Sequence, residues 1–127
     1  MLYSISIDIP AQTSRTTPLI STLAISQGIV TKGWLRWRYG SGNLGGVRVF
    51  YHETQIWPFS LNEWLPSSQH PLEFPSSLSI PEPPYTFSIH TYNDDDVFPH
   101  SVWLAFEIER GKNLGVLTRL IEWAKFE

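Results

Sequence analysis

Four histidines, His52, His70, His90 and His100, and a run of three aspartates, Asp94, Asp95 and Asp96, are the residues whose types could support metal or acid–base chemistry. The histidines include no His-x-His pair with a downstream acid and no i, i+4 pair that a helix would bring to one face, so their spacing does not assemble a metal centre. The aspartates follow Asn93 and can offer oxygen ligands to calcium from a loop. Three adjacent carboxylates lack the alternation of an EF-hand loop, however, and the run reads more simply as a solvated turn. Serine is plentiful, but no Gly-x-Ser-x-Gly elbow is present. Cysteine is absent, which removes disulfides, thiolate metal sites and thiol redox chemistry. A protein without catalysis and without a cofactor is the expectation.

Aromatic residues supply the other candidate sites. Trp34, Trp64 and Trp103, with Trp57, could form a platform on which a sugar ring stacks, as in a carbohydrate-binding module built on a small β-sandwich. The competing reading is that such large side chains serve packing or subunit contact, with Trp57 and Trp64 at an interface. Phe59, Phe74 and Phe98 add to the apolar surface candidates, and a monomer rarely leaves large apolar patches exposed; a homo-oligomer or a subunit of a larger assembly is expected. The stripe Lys32, Trp34, Arg36, Arg38 resembles an aromatic and basic surface for single-stranded nucleic acid. Nine Lys plus Arg against twelve Asp plus Glu give a net charge of -3, so no global basic field supports nucleic-acid binding. Arg36 or Arg38 is expected instead to pair with Glu107 or Glu109 across strands.

The elements that must position these residues are mostly strands. With 127 residues, 14% of them aromatic, and ten prolines, the chain suits one β-rich domain rather than a helical bundle. Tyr3, Ile5, Ile7 and Ile9 alternate with polar residues up to Pro10, and Leu19 to Ile25 follows as a less regular second strand. Thr31, Gly33, Leu35, Trp37 and Tyr39 share one face of a third strand, and Val47, Val49 and Tyr51 one face of a fourth. Between them, Gly40 to Gly46 is glycine-rich, and a hairpin is the simplest local outcome. Thr54 to Trp57 gives a short fifth strand. Residues 58–84 hold seven of the ten prolines and predict a long wrapping connection, with short edge pairing near Leu72 to Phe74 or Leu78 to Ile80. A seventh strand carries Tyr85, Phe87 and Ile89 inward; an eighth carries Val102, Leu104, Phe106 and Ile108.

The expected architecture is all-β: an eight-stranded antiparallel jelly-roll sandwich over residues 1–110, with a C-terminal amphipathic helix within residues 111–127. Jelly-roll pairing places the first, eighth, third and sixth strands in one sheet and the second, seventh, fourth and fifth in the other. Asn113 caps a helix from Leu114 to Phe126, whose apolar face includes Leu117, Leu120, Ile121 and Trp123 and is expected to meet a neighbouring subunit. The N-terminal stretch MLYSISIDIP has no basic region or long apolar run, and no window of about 18 apolar residues follows, so neither a cleaved signal nor membrane insertion is expected.

The stretch GIVTKGWLRWRYGSGNLGGVRVFYHETQIWP, together with PPYTFSIHTYNDDDVFPHSVWLAFEI, resembles small single jelly-roll structural proteins of bacterial and archaeal viruses, among them coat, penton and decoration subunits. The likeness lies in the order of elements over residues 1–110, the glycine-centred turn, the QIWP segment and the polar corner ending in Pro99 and His100. It implies a virion component that assembles with itself or with other virion proteins. The C-terminal helix is not part of that pattern.

Overall fold

The alternation that marks β3 (Gly28–Trp37) and β9 (His100–Glu109) in the sequence buries one face along each, and the two pair at the centre of a sheet. The computed structural model describes residues 1–38, 40–58, 60 and 63–109. The helix expected from Leu114 to Phe126, with its contact positions Leu117, Leu120, Ile121 and Trp123, lies outside the described residues, as do Tyr39 and Phe59. The remaining strands are β1 (Leu2–Ile9), β2 (Leu19–Ala24), β4 (Gly45–Tyr51), β5 (Thr54–Trp57), β6 (Leu65–Pro66), β7 (Leu72–Ile80) and β8 (Thr86–Asn93). They form two antiparallel sheets, ordered β1-β9-β3-β7 and β2-β8-β4-β5, with β6 added beside β4. The protein is an all-β sandwich over its described residues.

Several local expectations change. β3 and β4 do not form a hairpin: the glycine-rich segment carries the chain from one sheet to the other. That crossing is pinned by Ser67, whose hydroxyl donates to the Gly42 carbonyl (2.7 Å) and accepts from the Gly45 amide (3.0 Å). The proline-rich connection contains one continuous nine-residue edge strand, β7, rather than a short pairing near Leu72 to Phe74 or Leu78 to Ile80. Pro75 is tolerated there because an edge strand has one side on which no ladder N–H is needed. In β3 the register shifts between Val30 and Lys32, so Val30 points inward and the inward phase resumes at Gly33. Thr31, expected on the inner face, sits in this irregularity and donates to the Glu107 carbonyl (3.3 Å).

The same register overturns the expected Arg36 or Arg38 pairing with Glu107 or Glu109. The third and eighth strands of the sequence reading are neighbours, but Arg36 stands opposite Trp103, while Lys32 stands opposite Glu107. At about 3.4 Å of rise per residue, four residues separate those positions by roughly 14 Å, beyond the reach of an ion pair. Glu107 instead receives the N-terminal ammonium (2.9 Å), and Lys32 pairs with Glu73 of β7.

The core lies between the sheets and contains Ile7, Leu35, Trp37, Val49, Phe87, Ile89, Leu104 and Phe106, all buried; Ile5 packs against its margin. Gly33 explains how the sheets approach. Trp57 of β5 extends its indole across the sandwich into the space a side chain at position 33 would fill, between Phe74 and Phe106 (centroids 5.0 and 4.9 Å). Trp57 is thus a core residue, not the interface residue expected from the sequence.

Candidate functional site

The loop joining β8 to β9 is built around Asn93, Asp95 and His100. Asn93 is fully buried at the end of β8, where its Nδ2 donates to the carbonyls of Ile9 (3.1 Å) and Phe98 (3.0 Å) and its Oδ1 accepts from the Asp95 amide (3.0 Å). Asp95 Oδ1 accepts from the amides of Val97 (2.9 Å) and Phe98 (3.1 Å), and its Oδ2 accepts from His100 Nε2 (2.9 Å). The two backbone amides, then the imidazole, stabilise the carboxylate and hold the Asp95 pKa below its usual range. Because that carboxylate is an acceptor only, His100 carries its proton on Nε2. Across the loop, Arg15 pairs with Asp94 (3.0 Å). Asp94 and Asp95 therefore engage different partners, and among the described residues no group of three or more His, Cys, Asp or Glu side chains is placed to hold a metal ion. At the tip of this hydrogen-bonded loop, Val97 and Phe98 are 69% and 64% exposed.

The outer face of the second sheet carries a ladder of rings and guanidinium groups. Arg15 lies over Tyr92 (4.3 Å), Tyr92 meets the edge of Trp64 (4.8 Å), and Arg48 lies over both Trp64 (4.2 Å) and Phe50 (5.3 Å). His90 then packs on Phe50 (4.6 Å). Burial, assisted by the Arg48 charge, lowers the His90 pKa; burial raises that of Tyr92, against the opposing pull of Arg15. Gly46 admits the Tyr92 ring, which occupies the place of its absent side chain. Trp64 is half-buried in this ladder, so its indole helps seat two neighbours as well as facing outward.

Trp34 and Trp103 occupy the opposite side of the molecule, half-buried on the outer face of the first sheet. The three tryptophans proposed for a sugar platform thus divide between two faces and cannot contact one ring together. On the first sheet, register groups other residues that the sequence reading did not associate. Trp103 lies between Ser6 of β1 and Arg36 of β3. Ser101 lies between Asp8 of β1, to which its hydroxyl donates, and Arg38, whose amide donates to the Ser101 carbonyl (2.9 Å). These six side chains line one groove of about 320 Å³. Arg36 and Arg38 are exposed and make no ion pair among the described residues.

Alternation in β1 and β9 already put Ser6, Asp8 and Trp103 on outward positions; what it lacked was the alignment of strands more than ninety residues apart. The Asn93, Asp95 and His100 network was also missed, although an Asn and Asp cluster ahead of a strand is a recognisable signal for side chains that hydrogen-bond their own backbone. Set beside known proteins, the chain matches no family model, no curated protein and no solved structure.

Proposed function

We propose that the protein is a jelly-roll structural subunit of a virion, without catalytic activity, that assembles with copies of itself or with other virion proteins. The carrying observation is the exposed apolar pair Val97 and Phe98, held at the tip of a hydrogen-bonded loop. Such side chains are usually costly to leave in water, and here the loop beneath them is already ordered by Asn93, Asp95 and His100. A pre-ordered anchor loses little conformational freedom on association, so more of its apolar burial is realised as affinity.

The strand orders β1-β9-β3-β7 and β2-β8-β4-β5 are those that jelly-roll pairing of eight strands produces, with β6 as a short addition. They leave β1, β2, β5 and β7 at sheet edges, where unpaired backbone groups can meet another chain. The assignment to a virion draws on the likeness of the glycine-centred and polar-corner segments to viral jelly-roll subunits. Sedimentation over a concentration series, with electron microscopy of the heaviest fraction, tests the reading. Self-association that disappears in Val97→Ser/Phe98→Ser, with the melting temperature retained, is the expected result. A wild-type chain that stays monomeric at every concentration and joins no assembly with its neighbouring gene products refutes it.

A further inference from the structure

The groove on the first sheet has a regular plan. Three adjacent strands contribute two rows: Ser6, Trp103 and Arg36 in one, Asp8, Ser101 and Arg38 in the next. With strands about 4.8 Å apart and alternate residues about 6.8 Å apart, the grid measures roughly 10 Å by 7 Å. That is the footprint of one sugar ring and its substituents. A second hollow of about 330 Å³ shares Asp8, Arg38 and Ser101 and extends the groove toward Pro99 and His100.

The chemistry of the grid is polarised. Both guanidinium groups stand on the β3 side and lack an ion-pair partner among the described residues, while the Asp8 carboxylate stands on the β1 side with Ser6, and Ser101 lies between on β9. Trp103 presents a ring between them. Guanidinium groups favour a planar carboxylate, which can accept two parallel N–H bonds. The Asp8 carboxylate and Ser6 hydroxyl on the opposite side, with the Ser101 hydroxyl between, favour a ligand with several hydroxyl donors. The same Asp8 charge repels a chain of phosphates, and the net charge of -3 adds to that repulsion.

We infer that this groove binds an acidic sugar, a pyranose bearing a carboxylate. Its ring lies on Trp103, its carboxylate meets Arg36 and Arg38, and its hydroxyls face Asp8, Ser6 and Ser101. The inference is independent of assembly: sugar binding can fail while association through Val97 and Phe98 persists, and the reverse also holds.

The test is calorimetric titration of the full chain with trigalacturonate and with its methyl ester, which keeps the ring and hydroxyls but loses the charge. The acid should bind about tenfold more tightly than the ester, as expected for a hydrogen-bonded charge pair. Arg36→Gln/Arg38→Gln should erase that preference, and Asp8→Asn should weaken both ligands. These positions are exposed, and an unchanged melting temperature in each variant checks that folding is intact. No binding to the wild-type chain, equal affinity for acid and ester, or an unaltered preference in the double arginine variant would overturn the inference. So would displacement of the acid by an equal concentration of sulfate, which would make the groove a simple anion site.

Discussion

Gly33→Ala should destabilise the sandwich through one contact, and Trp57→Leu should reverse the sign of that effect. Within a strand, alanine is ordinarily favoured over glycine by about 0.5–1 kcal/mol, because glycine loses more backbone freedom on folding. At position 33 the added methyl carbon would lie 1.5 Å from Trp57 Cη2, 2.2 Å from Cζ2 and 2.7 Å from Cζ3. The backbone cannot retreat, since Gly33 is paired with Phe74 on one side and Phe106 on the other. The indole must leave its seat, and loss of a buried Trp contact set costs about 3–5 kcal/mol. Subtracting the gain in strand propensity leaves a net cost of about 2–4 kcal/mol. Leucine at position 57 lacks all three clashing atoms. Gly33→Ala in the Trp57→Leu background should therefore be neutral or stabilise by up to about 1 kcal/mol, even though Trp57→Leu is destabilising alone. Urea unfolding of the four proteins in this double-mutant cycle measures the coupling. Equal costs of Gly33→Ala in both backgrounds would refute the proposed interlock.

Phe106→Ala should cost about 3–5 kcal/mol in urea unfolding, because a fully buried ring touching Phe87 and Trp57 is replaced by a cavity; a cost near zero would contradict that packing. The depressed Asp95 pKa makes its contribution fully present above the unfolded carboxylate value near about 4, and the contribution is lost as pH falls through the lower folded value. Asp95→Asn should lower stability at neutral pH and flatten the acid limb of the urea midpoint against pH; an unchanged limb would count against the network. His90, whose folded pKa is also lowered, favours the folded chain while neutral, so stability should decline as pH falls below about 6.5 toward the folded value. His90→Gln should remove that part of the slope, and retention of the whole slope would assign it to another group.

Alternation alone revealed the inward residues of β8 and β9, because a strand with one buried face must place apolar residues at every second position. It also identified most of β1, β4 and the core around Leu35, Trp37, Val49 and Phe106. The pattern gave less guidance where a rule was locally interrupted. The irregularity between Val30 and Lys32 changed the phase of β3, and Pro75 obscured a strand that sits harmlessly at a sheet edge.

Tertiary structure decided what composition could not: which outward residues share a surface. Charge matching suggested Arg36 or Arg38 beside Glu107 or Glu109, whereas register sets Arg36 opposite Trp103 and leads Lys32 to Glu73. The tryptophans look equivalent in the sequence, yet Gly33 draws Trp57 into the core, Trp64 joins Arg48 on the second sheet, and Trp34 and Trp103 remain on the first. Alternation is local and is written into each strand. Alignment between strands depends on bulges, chain crossings and the fit of side chains between sheets, so Ser6, Asp8, Arg36, Arg38, Ser101 and Trp103 become one groove only after the sandwich has closed.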